Sequence, residues 1–220
     1  MKTVIFDLDG TLADTSGDLI AAANACFQAL GHGDMLDETH DQLTAFHGAR
    51  AMLRLGFSRL GAEDETLIDA QYPTLLEHYA ENIDVKTTLY PGAIDAVETL
   101  RGAGYAVGIC TNKPEGLAES LMQRLGARDL FGSLIGADTL AERKPHPLPY
   151  RRAVELAGGD PAQSVLIGDT ETDVKTARAA ERPIVLVAFG PEGPGIARLK
   201  PNAMLPDYAS LGTVVRELIG

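Results

Sequence analysis

Two carboxylates one residue apart close the first apolar run of the chain: Lys2-Thr3-Val4-Ile5-Phe6 leads into Asp7-Leu8-Asp9-Gly10-Thr11-Leu12. Two further acids, Asp169 and Asp173, follow a later apolar run, Ser164 to Ile167. Carboxylate oxygens are the hard ligands magnesium prefers, and that ion is usually held by few protein carboxylates, with a substrate phosphate completing its shell. A carboxylate can also attack phosphorus to give an acyl phosphate, dividing one hard displacement into two easier steps. A second acid then has proton work to do, first for the leaving alcohol and later for the attacking water. Unbalanced, so many acids would repel any phosphate. Magnesium and Lys144 together would offset most of that charge, and the Thr111 hydroxyl and Asn112 amide can donate to phosphoryl oxygens. Taken singly, the same acids also suit turns and helix starts, so the chemical reading depends on their convergence.

Convergence requires a scaffold. Strand side chains alternate between faces, which would put Asp7 and Asp9 on one side of a strand end. Short apolar runs at Tyr105 to Cys110, Gly132 to Gly136, Ser164 to Ile167 and Ile184 to Ala188, with a weaker one at Ala203 to Leu205, are separated by helical segments. That pattern predicts a parallel sheet covered on both faces. In such a sheet ligands collect beyond the carboxyl ends of the strands, near the point where strand order reverses. Asp7, Asp9, Thr111, Asn112, Lys144, Asp169 and Asp173 all fall at that predicted end.

Between the first strand and the rest, Thr15 to about Val85 reads as almost wholly helical. Leu19, Ile20, Ala23, Phe27 and Leu30 mark one helix ended by Gly31, and a second runs from Asp37 towards Phe46. A third starts at Arg50 and a fourth near Asp64, the last despite Pro73. The expected organisation is an α/β, Rossmann-like core over 1–14 and 86–220, with a helical cap domain inserted at 15–85.

Bulk properties narrow the function. The 220 residues hold 19 basic and 31 acidic side chains, a net charge of −12, which argues against nucleic acid and anionic membrane as partners. Cys26 and Cys110 lie in apolar surroundings without metal-ligand spacing, which suits a reducing, cytoplasmic location. No export signal and no stretch long enough to span a membrane is read. EF-hand, serine-hydrolase, zincin and Walker-type spacings are absent.

Four stretches, in order, resemble the motifs of the haloacid dehalogenase superfamily: DLDGTLADT at Asp7 to Thr15, TNK at Thr111 to Lys113, RKPHPLPY at Arg143 to Tyr150 and GDTETD at Gly168 to Asp173. The helical insert resembles the small cap of the phosphoglycolate-phosphatase-like branch. The resemblance implies a magnesium-dependent phosphatase of a small phosphorylated metabolite, with Asp7 as nucleophile, Asp9 as acid and base, and Thr111 and Lys144 as phosphate binders. It further implies metal held by Asp7, the Asp9 backbone carbonyl and Asp169, supported by Asp173, with Gly10 and Asn112 beside the phosphate. A phosphomutase, a dehalogenase or a non-catalytic phosphate-binding module could use the same fold. The cap would close over the site and read the leaving group. There, Phe46-His47-Gly48-Ala49-Arg50 replaces the glycine-rich turn often found in phosphoglycolate phosphatases, so His47 and Arg50 are candidate substrate contacts, Arg50 through a carboxylate. After the fourth motif, Ala180-Glu181-Arg182-Pro183 stands where similar proteins commonly have Ala-Gly, an exchange expected to cost about 1 kcal/mol at most.

Overall fold

The computed structural model describes residues 1–220, which divide into two compact units: Met1–Ala13 with Leu89–Gly220, and Asp14–Thr88. The first is an α/β unit. Its sheet contains β1 (Thr3–Phe6), β4 (Ala106–Cys110), β5 (Ser133–Ile135), β6 (Ser164–Gly168), β7 (Ile184–Val187) and β8 (Ala203–Leu205). These six strands lie in the order β5-β4-β1-β6-β7-β8, and every pairing is parallel. The expected Rossmann-like architecture is therefore present. Two short strands, β2 (Ala13–Asp14) and β3 (Thr88–Leu89), form a separate two-stranded sheet.

Helices α5 (Ala93–Gly102), α6 (Glu115–Arg124), α7 (Pro147–Leu156), α8 (Glu171–Ala179) and α9 (Leu211–Ile219) cover the sheet. Ile5 and Leu166 join Tyr150, Ala153 and Val154 of α7 and Val174 and Ala177 of α8 in one buried cluster. Their strand neighbours Val4, Phe6, Val165 and Ile167 are also completely buried, and by alternation they point to the opposite face, where α5 packs on β4 and α9 on β6. Burial on both faces is why these strands read as continuous apolar runs and not as alternating ones.

The register aligns the strand ends that matter. Phe6 lies level with Ile109 on one side and Ile167 on the other, and the Asp7 N–H continues the ladder to the Ile167 carbonyl at 2.9 Å. The chain visits β4 and β5 on one side of β1 and then returns to β6 on the other, so strand order reverses beside β1. That is where a crevice for ligands opens in such sheets.

The second unit contains α1 (Ser16–Ala29), α2 (Gln42–Phe46), α3 (Ala49–Arg59) and α4 (Glu65–Glu81). Helix α1 ends where Gly31 adopts φ +83°. The buried Asp18 carboxylate accepts from the backbone N–H groups of Lys86 and Thr87 and from the Thr87 hydroxyl, tying the unit's two ends together. The second helix is shorter than the sequence pattern suggests. Asp37 accepts from the Thr39 and His40 N–H groups, while Asp41 accepts from the Asp37 N–H and two Arg59 nitrogens, so 37–41 closes as a turn before helix can begin.

Helix α8 ends as the missing glycine would have ended it. Glu181 takes φ +58°, and the Arg182 N–H donates to the Ala177 carbonyl at 2.9 Å, the long hydrogen bond of a left-handed C-terminal cap. A side chain in that conformation is strained by roughly 1–2 kcal/mol, part of which glycine returns as unfolded-chain entropy. Glu181→Gly should therefore raise unfolding free energy by about 0.5–1 kcal/mol, read as a higher urea midpoint at unchanged slope.

Candidate active site

Asp7 is the first residue beyond β1 and is only 8 % exposed. The strand ends there, and this corrects the simple alternation expected for Asp7 and Asp9. Beyond Asp7 the chain turns, with the Leu8 carbonyl accepting from the Thr11, Leu12 and Ala13 N–H groups, so Asp9 is carried by the turn and not by a strand face. Gly10 permits that turn with φ +78°. The Leu8 N–H donates to Asp7 Oδ1 at 2.7 Å, leaving Oδ2 to meet Lys144 Nζ at 3.0 Å.

Asp169 and Asp173 come from the end of β6 and the first turn of α8. Thr170 caps this helix, and Asp173 folds back to accept from the Thr170 N–H and hydroxyl through Oδ2. Gly168 makes room for it, since a β-carbon there would lie 2.4 Å from the Asp173 carboxyl carbon. Asp173 Oδ1 accepts from Lys144 Nζ at 2.7 Å, so one ammonium bridges Asp7 and Asp173. Asp169 Oδ1 accepts from the Thr11 hydroxyl at 3.0 Å. Its Oδ2 is buried and has no hydrogen-bond partner.

The TNK stretch sits at the end of β4. The Thr111 hydroxyl oxygen accepts from the Lys113 N–H at 3.1 Å, which leaves its own proton available for a ligand. Asn112 is exposed, and its amide donates to the Lys144 carbonyl at 3.0 Å, fixing the backbone of that lysine. Lys113, for which sequence reasoning assigned no role, is buried with its ammonium 2.7 Å from Asp9 Oδ1. Thr11 was passed over in the same way. One signal pointed to a second cation: four acids converging on one crevice are poorly matched by a single lysine.

Electrostatics follow from burial. Desolvation lifts Asp7 from 3.8 to about 7, with Lys144 pulling it down and Asp173 pushing it up. Asp169 is likewise raised well above the carboxylate range by burial, with further repulsion from Asp173 and Asp7. Burial alone would lower Lys144, but the Asp173 and Asp7 carboxylates outweigh it and hold the ammonium above its ordinary value. Oxygens of Asp7, Asp169 and Asp173 lie within 4.8 Å of one another. Asp173 already accepts from Lys144, Thr170 twice and the Asp169 N–H, whereas Asp169 keeps one buried oxygen without a donor. An all-oxygen set holding one orphaned buried atom suits a hard divalent cation.

His47 and Arg50 belong to the helical unit. His47 is exposed at the end of α2, and Arg50, in the first turn of α3, pairs with Asp69 and lies 4.3 Å over the Tyr72 ring.

Residues 4–187 match the family model described as haloacid dehalogenase-like hydrolase. The chain belongs to this family. Among curated members, it is 38% identical over 218 residues to a phosphoglycolate phosphatase of Rhodospirillum rubrum, covering 96% of this chain and 89% of the relative. A phosphoglycolate phosphatase of Mesorhizobium japonicum is 35% identical over 218 residues, covering 97% and 94%. Among solved structures, one described as a predicted phosphoglycolate phosphatase from Haemophilus somnus superposes with a TM-score of 0.85 at 26% identity, covering 97% of both chains. This haloacid dehalogenase-like protein is a phosphatase. No helix in it is long and apolar enough to cross a membrane.

Proposed function

We propose that the protein is a magnesium-dependent phosphatase of phosphoglycolate-like monoesters that works through an aspartyl-phosphate on Asp7. The observation carrying this reading is the buried meeting of Asp7, Asp169 and Lys144, with Asp169 Oδ2 left unpartnered. Asp7 and Asp169 would hold the ion together with the Asp9 carbonyl, with Asp173 in support. When bound, magnesium supplies positive charge that allows a phosphate dianion to approach the acids. Lys144 and the Thr111 hydroxyl bind and orient phosphoryl oxygens. Asp7 forms an O–P bond as the ester O–P bond breaks, and Asp9 gives the leaving alkoxide its proton. Water then attacks phosphorus and surrenders a proton to Asp9, releasing phosphate and regenerating the Asp7 carboxylate. Lys113 holds the Asp9 carboxylate in place between these two duties.

We infer likewise that Asp14–Thr88 serves as the cap. Arg50 is already engaged by Asp69 and Tyr72, so a substrate carboxylate would have to exchange with Asp69 for it.

The raised Asp7 and Asp169 give this reading a pH signature. Protonated Asp7 stabilises the ion-free fold most below 3.8, and that contribution is lost as pH rises through about 7. Magnesium must displace the Asp7 proton, so its affinity should climb by up to about tenfold per pH unit between pH 5.5 and 7. The test measures phosphate release from phosphoglycolate with magnesium and with chelator, hydroxylamine-labile phosphoenzyme, and magnesium-induced melting shifts across this range. Turnover undiminished by chelator, or an affinity flat with pH, would overturn the proposal.

A further inference from the structure

Thr11 touches Asp169 from one side while its backbone is held from the other. Its hydroxyl donates to Asp169 Oδ1 at 3.0 Å, and its carbonyl accepts from the Tyr208 hydroxyl at 2.7 Å. All three residues are buried, Thr11 completely and Tyr208 to within 2 %. Tyr208 comes from the segment just before α9, nearly two hundred residues from Thr11, and its ring packs on Phe189, which packs in turn on Tyr90. The Tyr90 N–H donates to the Leu12 carbonyl at 3.0 Å, so the turn after β1 is gripped at two consecutive carbonyls.

A carboxylate with both oxygens free can rotate about its Cβ–Cγ bond. Occupying Oδ1 with a fixed hydroxyl stops that rotation and leaves Oδ2 aimed in one direction, and Oδ2 is the buried atom without a partner. We propose that Thr11 is the positioning residue that presents Asp169 Oδ2 to the cation, and that Tyr208 acts through Thr11 to hold it there. The C-terminal segment, which contributes no residue to the four motifs, thereby takes part in preparing the metal site. This inference rests on the metal reading above.

The experiment measures Mn²⁺ affinity of the substrate-free protein by electron paramagnetic resonance, with circular dichroism melts beside it. Thr11→Val, which keeps shape and loses the hydroxyl, should weaken Mn²⁺ roughly 10–100-fold, and Thr11→Ser should restore affinity to within a few-fold. Tyr208→Phe should weaken Mn²⁺ less, and its effect should vanish when Thr11 is already Val, because a residue acting through the Thr11 hydroxyl has nothing left to transmit. A Thr11→Val protein that melts as a single transition but binds Mn²⁺ as the parent does would overturn the role of Thr11. Additive effects of the two changes would overturn that of Tyr208. Asp169→Asn serves as the reference: parental binding in that variant, or none in the parent, strikes the metal reading itself and not only its second layer.

Discussion

Asp7→Asn is expected to leave the protein folded and to lower kcat for phosphate release by about four orders of magnitude or more, the scale seen when a covalent nucleophile is removed. The reason is local. An amide does not attack phosphorus, and no neighbouring carboxylate is placed to take over. Asp9 is held by Lys113 at 2.7 Å and is the proposed acid and base. Asp173 is fully buried and accepts from Lys144 and the start of α8. Asp169 is fastened by Thr11 and is the candidate metal ligand. Phosphate binding should suffer far less than turnover, because Lys144 and Thr111 remain. The measurement is kcat on phosphoglycolate and inhibition by inorganic phosphate for parent and variant. A variant keeping more than about one hundredth of parental kcat would mean that Asp7 does not form the covalent intermediate.

Much of this was legible in the sequence because burial writes itself into strand composition. Ile5 and Leu166 face one helical layer and Val4 and Val165 the other, which forces apolar residues at consecutive positions and lets the parallel sheet be read directly. Parallel strands also place their carboxyl ends together, so residues as distant as Asp7, Thr111 and Asp169 could be assigned to one crevice without coordinates. What stayed hidden was pairing. A lysine letter carries no information about its partner, and Lys113 looks like any surface lysine until the turn at Thr111 aims it at Asp9. Helix α2 starts later than apolar periodicity predicts for a related reason: Asp37 and Asp41 spend their oxygens on backbone N–H groups and on Arg59, a competition with helix that the periodicity does not register. By its spacing Asp173 suits a metal ligand or a helix-start acid, and in the structure it completes the capping box with Thr170 at the start of α8 while it pairs with Lys144.

Lys144→Met should strongly destabilise the α/β unit. The methionine keeps the apolar stem and removes the charge that bridges Asp7 and Asp173, whose side chains are 11% and 0% exposed. Breaking a buried pair by removing one partner costs about 3–5 kcal/mol, because the remaining charge has neither water nor counter-ion. For a chain of this size that corresponds to a melting point lower by roughly 6–20 °C. The deficit should depend on pH in a definite direction. Without the ammonium that pulls it down, the folded protein holds the Asp7 proton to higher pH than the unfolded chain does, so the variant loses stability as pH rises and recovers it as pH falls. Melts at pH 8 and pH 5.5 should therefore show the gap to the parent narrowing at the lower value. Adding Asp173→Asn to Lys144→Met should return part of the loss at pH 8, since the amide oxygen can still accept from Thr170 without leaving a buried charge. A single variant melting within about 2 °C of the parent at pH 8 would show that the Lys144 charge is not what holds these acids together, and the phosphate-binding role argued for the same ammonium would lose its electrostatic basis.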